Sequence, residues 1–73
     1  MPQKSAVAAK RILRGEMVRR GISYDQLVGM LAEIGAKETS ASLRNKLSRG
    51  SFTADFFLDC LTVMGVKTLY LGE

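Results

Sequence analysis

The chain has 73 residues, 11 lysines and arginines against 7 aspartates and glutamates, a net charge of +4, 47% hydrophobic residues and no histidine. That length holds one domain, 1–73, with a small core, since domains of about 60 residues bury only about 60% of their unfolded surface. With Cys60 as the only cysteine and no histidine, neither an intrachain disulfide nor a four-ligand zinc site can be built.

The same absences narrow the chemistry. No side chain ordinarily titrates between about pH 5 and 8, no Ser-His or Cys-His nucleophile pair is available, and no glycine-rich phosphate loop or cofactor fingerprint occurs. Asp55 and Asp59 are four apart, a spacing that makes them neighbours on an exposed helix face and not a catalytic pair. The sequence therefore predicts a protein that is not an enzyme and holds no metal and no cofactor. No small-molecule ligand is indicated. No apolar run is long enough for a membrane span, and Met1 to Leu13 lacks the apolar stretch of a secretory signal. A lone free thiol suits a reducing cytoplasm, so a cytoplasmic location is expected.

Four segments show helical periodicity, each closed by a glycine. The first is expected over about 5–20, ending before Gly21, a usual helix stop. At 100° per residue, Ala6, Ala9, Ile12, Leu13 and Met17 share one face. Lys10, Arg11 and Arg14 form a basic stripe on the other, with Val7 and Val18 beside it. The second, about 24–34, opens with Ser23 and Gln26 at capping-box spacing. Its apolar face is Tyr24, Leu27, Val28, Leu31 and Ile34, and Gly35 ends it. The third, about 40–49, takes Thr39 or Ser40 as N-cap. It has only Leu43 and Leu47 as large apolar residues, the remainder being Ser42, Arg44, Asn45, Lys46, Ser48 and Arg49. Such a narrow seam marks a surface helix. The fourth, about 54–64 after the N-cap Thr53, carries Phe56, Phe57, Cys60, Leu61 and Met64 and reads as the most buried. Cys60 is expected there as a small core residue.

The tail 66–71, Val66 to Leu71, is rich in strand-favouring residues. It either packs back over the core or pairs with a second subunit's tail, which would make a homodimer through Val66, Leu69, Tyr70 and Leu71. The predicted fold class is all-α: a compact four-helix helix-turn-helix domain with a short extended C-terminal tail.

An amphipathic helix followed through a brief turn by a short polar, basic helix is helix-turn-helix order. In such a pair the second helix lies in the DNA major groove. Its residue types suit the role, since Asn pairs with adenine, Arg or Lys with guanine, and Ser or Thr with either. Thr39, Ser40, Ser42 and Asn45 are the candidate base or phosphate contacts, Lys46 and Arg49 the candidate phosphate contacts, and Lys37 reaches the backbone from the turn. Lys10, Arg11 and Arg14 make a second basic surface. Arg44 is ambiguous, because Glu38 is available as an ion-pair partner. The expected partner is double-stranded DNA, with a role in transcription regulation. The alternative is a helical protein-interaction module, an antitoxin-like or adaptor subunit, that uses the surface around Val7 and Val18 without binding DNA.

Gly21-Ile22-Ser23 through Leu27, the polar helix ending Ser48-Arg49-Gly50 and the apolar helix ending Met64-Gly65-Val66 resemble Cro/repressor-type helix-turn-helix domains of phages and bacteria. That resemblance implies that helix 40–49 is the recognition helix and that the domain dimerises on a palindromic operator. The chain departs from the pattern in a longer Gly21–Gly50 segment, in the i, i+4 spacing of Leu43 and Leu47, and in having no fifth helix. The longer turn, Gly35 to Glu38, changes the angle between helices two and three. A second resemblance covers most of the chain. Leu13, Arg20-Gly21, Tyr24, Leu27, Leu31, Gly35, Glu38-Thr39, the run Asn45-Lys46-Leu47-Ser48-Arg49-Gly50, Phe52, Phe56-Phe57, Cys60-Leu61 and Gly65-Val66 are similar to a bacterial family of small stand-alone proteins, domain of unknown function 6471. It implies an architecture and no particular activity.

Overall fold

The structure, a computed structural model, describes residues 4–69, with side chains from Val7 onward. Among the described residues it contains four helices and no strand: α1 Lys4–Arg20, α2 Tyr24–Glu33, α3 Ser40–Arg49 and α4 Ala54–Val63. α1 and α2 each pack against both α3 and α4. The second pair of helices is thereby held between faces of the first.

Local chemistry sets each boundary. Ser23 caps α2 by accepting from the Gln26 N–H at 3.1 Å, while the Gln26 side chain accepts from the Ser23 N–H at 2.8 Å. Thr39 and Ser42 repeat the reciprocal arrangement at the start of α3, each pairing at 3.0 Å. Thr53 caps α4, its hydroxyl oxygen accepting from the Phe56 N–H. Each cap satisfies donors that the first helical turn leaves open. At the end of α2, Gly35 takes φ +82°, a conformation that only glycine adopts without strain. It allows the Gly35 N–H to reach the Ala32 carbonyl and the Ala36 N–H to reach the Leu31 carbonyl, a Schellman closure. The same pair of bonds ends α1, through Ile22 and Met17, and α4, through Val66 and Leu61. In all three the residue after the glycine folds back onto the core.

That core is Leu13 and Met17 from α1, Leu27 and Leu31 from α2, Leu43 and Leu47 from α3, and Phe56, Cys60, Leu61 and Met64 from α4 and its end. No polar or charged side chain is buried among the described residues. The apolar faces expected from periodicity are the packed faces, with two adjustments. Ile34, expected on the core face of α2, caps the helix instead and is 50% exposed, and Ala36 takes the inward position. Lys10, expected opposite the core, lies half-buried at its edge.

In the tail, Val66 closes α4 and Leu69 packs on the core, so the described part of the tail folds back over its own domain. Tyr70 and Leu71 lie outside the described residues, as do the side chains of Lys4 and Ala6. No helix of the described residues is long and apolar enough to cross a membrane.

Candidate nucleic-acid interface

α3 presents two different sides to its surroundings, and the expected site residues divide between them. The first side faces the turn from α2. Glu38 sits there, largely covered, with its carboxylate accepting from Lys46 Nζ at 2.6 Å and from the Ser42 hydroxyl at 2.6 Å. Lys37, Thr39, Ser42 and Lys46 line one shallow hollow around it. Desolvation pulls the Glu38 carboxyl upward, but the hydrogen bonds from Lys46 and Ser42 outweigh it, and the group lies below its ordinary value of 4.5. The Lys46 ammonium also stands 4.5 Å over the Phe56 ring, a cation–π contact that ties α3 to α4.

These contacts change the reading of three expected DNA contacts. Lys46 is held by Glu38 and Phe56 while its side chain stays partly solvated. Thr39 and Ser42 spend their hydroxyls on the cap. Glu38 pairs with Lys46, so it is not the partner of Arg44, for which an ion pair with Glu38 was considered. Lys37 is exposed but stands beside the same carboxylate. Ser40 donates its hydroxyl to Asp25 of α2, which locks the first turns of α2 and α3 together.

The second side points away from the core. Ala41, Arg44, Asn45, Ser48 and Arg49 are all exposed and recur at helical spacing along α3. Arg44 stacks on the Tyr24 ring, with its guanidinium carbon 5.1 Å from the ring centroid. Lys10 of α1 donates to the Ser48 carbonyl at 3.1 Å. A cation at this place meets the open carbonyls and negative end of α3. Arg14 lines the same groove as Arg44. Lys10 and Arg14 therefore stand on the flank of the α3 outer face. Arg11 does not join them. It lines a hollow on the other side of α1 with Ile12, Glu16 and Leu69.

Sequence reasoning left Arg44 ambiguous and gave Ser48 no role in this face. Their signal is present in the spacing: Arg44 and Ser48 follow Leu43 and Leu47 by one residue, as Asn45 and Arg49 do by two. Arg19 and Arg20 are paired within α1. Glu16 bonds Arg19 and Arg20, each at 3.0 Å, which holds its carboxyl below the ordinary range.

Other chemistry is sparse. Burial pushes the Cys60 thiol up to about 12, with the nearby Glu38 and Asp59 charges adding to it. Among the described residues no group of three carboxylates and thiols is placed to hold a metal ion.

Fold and site together define a small four-helix domain that exposes one polar, acid-free helix face flanked by cations from its first helix. The chain belongs to the family described as "Domain of unknown function (DUF6471)", whose model matches residues 6–69. No curated protein and no solved structure matches it.

Proposed function

We propose that the protein binds double-stranded DNA through the outer face of α3 and acts in transcription regulation, without catalysis. The observation that carries this reading is the bond from Lys10 to the Ser48 carbonyl. It sets α1 cations beside a helix whose exposed side offers Arg44, Asn45, Ser48 and Arg49 and no carboxylate. Side chains of these kinds read base edges in the major groove, and flanking cations hold phosphates. α2 followed by α3 has helix-turn-helix order, and the sequence resemblance to Cro/repressor-type domains supports α3 as the DNA-facing helix, with the longer turn changing its angle to α2. A non-catalytic role suits a chain with no histidine and a single thiol kept protonated by burial.

A module of this size makes few phosphate contacts, so operator specificity calls for a homodimer reading half-sites about 34 Å apart. Val66 and Leu69 serve the domain's own core, and the homodimer is proposed on this half-site requirement alone.

The test is fluorescence anisotropy with labelled random-sequence duplex at about 50 and 200 mM salt, the range over which phosphate-driven binding falls steeply. The wild type is compared with an Arg44→Ala/Asn45→Ala/Arg49→Ala variant, which leaves the Glu38–Lys46 pair intact. Salt-sensitive binding that the variant loses supports the reading. Absence of binding at low salt, with the helical circular dichroism signal intact, refutes it.

A further inference from the structure

Between the end of α1 and the start of α2 runs an open groove of about 620 Å³. Its floor and wall are Met17, Val18, Ile22 and Tyr24, and Arg14 and Arg44 stand at its edge. Val18 is 82% exposed, the most exposed large apolar residue among the described residues. Ile22 and Tyr24 are half-buried, with part of each surface open to the groove. One carboxylate, Asp25, also stands at the rim, where the two arginines outnumber it.

This groove shares Arg44 with the outer face of α3 and differs from it in having an apolar floor. A phosphate backbone gains little from aliphatic side chains, so the groove does not match duplex DNA. Nor does it match a second copy of the chain, whose net charge of +4 would bring like charge towards the arginines. An apolar floor with cationic edges is complementary to a segment that is apolar on one side and acidic on its borders. Helices of that kind dock in grooves through apolar anchors at i, i+3, i+4 and i+7. Arginine at the rim adds forked hydrogen bonds to carboxylates.

We propose that this groove docks a short acidic amphipathic helix of a partner protein, with its apolar face on Val18, Ile22 and Tyr24 and its carboxylates on Arg14 and Arg44. Arg14 and Arg44 also border the proposed duplex face, so the docking is tested with no DNA present.

The probe is a fluorescein-labelled peptide, Glu-Glu-Asp-Leu-Glu-Glu-Leu-Leu-Glu-Glu-Leu-Glu, in which the leucines share one helical face. A scrambled peptide of equal composition, with its leucines spread around the helix, reports simple charge attraction. Both are titrated by anisotropy against the full chain with no DNA present. The expected result is saturable binding of the patterned peptide, at least about tenfold tighter than the scrambled one, equivalent to about 1.4 kcal/mol. Val18→Glu and Arg44→Glu should each weaken it by at least about tenfold. Lys37→Glu and Lys67→Glu, which remove positive charge away from the groove, should leave it within about twofold. Val18 and Arg44 are exposed, and thermal melts establish that each variant folds. No saturable binding, equal binding of the two peptides, or equal loss in all four variants overturns the proposal. Because no DNA is present, a failed duplex assay and a failed peptide titration are separate results.

Discussion

The residue that does most to organise the α3 surface is Glu38. It stands before the helix, takes one hydrogen bond from Ser42 and one from Lys46, and so pairs with a lysine that the sequence offers as a phosphate contact. Its carboxyl lies below the ordinary value of 4.5. A carboxylate whose folded-state pKa is lowered contributes stability above its unfolded pKa, and that stability is lost as pH falls through the folded value. Urea midpoints should therefore hold steady from pH 7 to about 5 and drop below about 4.5, where carboxylates begin to protonate. Glu38→Gln should cost about 1 kcal/mol at pH 7, a modest figure because the Lys46 end is partly solvated, and should flatten the acid side of the profile. Glu16 is lowered as well, so some acid sensitivity remains in the variant. An unchanged acid profile in Glu38→Gln would remove Glu38 from this account. Lys46→Ala should likewise lower stability by about 1 kcal/mol while leaving duplex affinity of the folded protein within about twofold, in contrast to Arg49→Ala.

At the scale of the element, boundaries were largely legible and side-chain assignments were not. The four helices fall within a residue or two of their expected limits because α2, α3 and α4 each begin at a hydroxyl cap and all four close at a glycine, and these signals are local in sequence. Thr39 was recognisable as a cap. That its partner would be Ser42 was less so, since the usual residue at that place is Glu or Gln. The division of α3 into an engaged side and a free side depends on Glu38, Phe56 and Lys10, which come from three other places in the chain. Periodicity alone does not bring those together. Ile34 fits the period of α2 yet is exposed, because the helix closes one residue before it. The closure itself is testable. An added Cβ at Gly35 meets nothing within 4 Å, so Gly35→Ala isolates the cost of its positive φ, about 1 kcal/mol. For comparison, Thr39→Ala should cost about 1 kcal/mol through the lost cap. A Gly35→Ala variant as stable as the wild type in urea titration would show that α2 ends equally well without the left-handed residue.

At the scale of the whole molecule, one domain has to supply both stability and recognition. Among the described residues six side chains are completely buried, five of them leucines, in a single cluster shared by all four helices, and no buried polar group interrupts it. A core of that kind closes within one copy. The proposed homodimer is thus asked for by recognition and not by folding, which gives it a clear thermodynamic signature. If the folded chain self-associates, mass action stabilises it in proportion to the logarithm of its concentration. Raising protein from about 10 μM to about 1 mM should then lift Tm by about 5 °C for a domain of this length. A Tm that does not move across that range would make the protein a monomer. Its duplex binding would then rest on one exposed helix face and its flanking cations, with a salt slope set by about four phosphates and with little capacity to single out an operator.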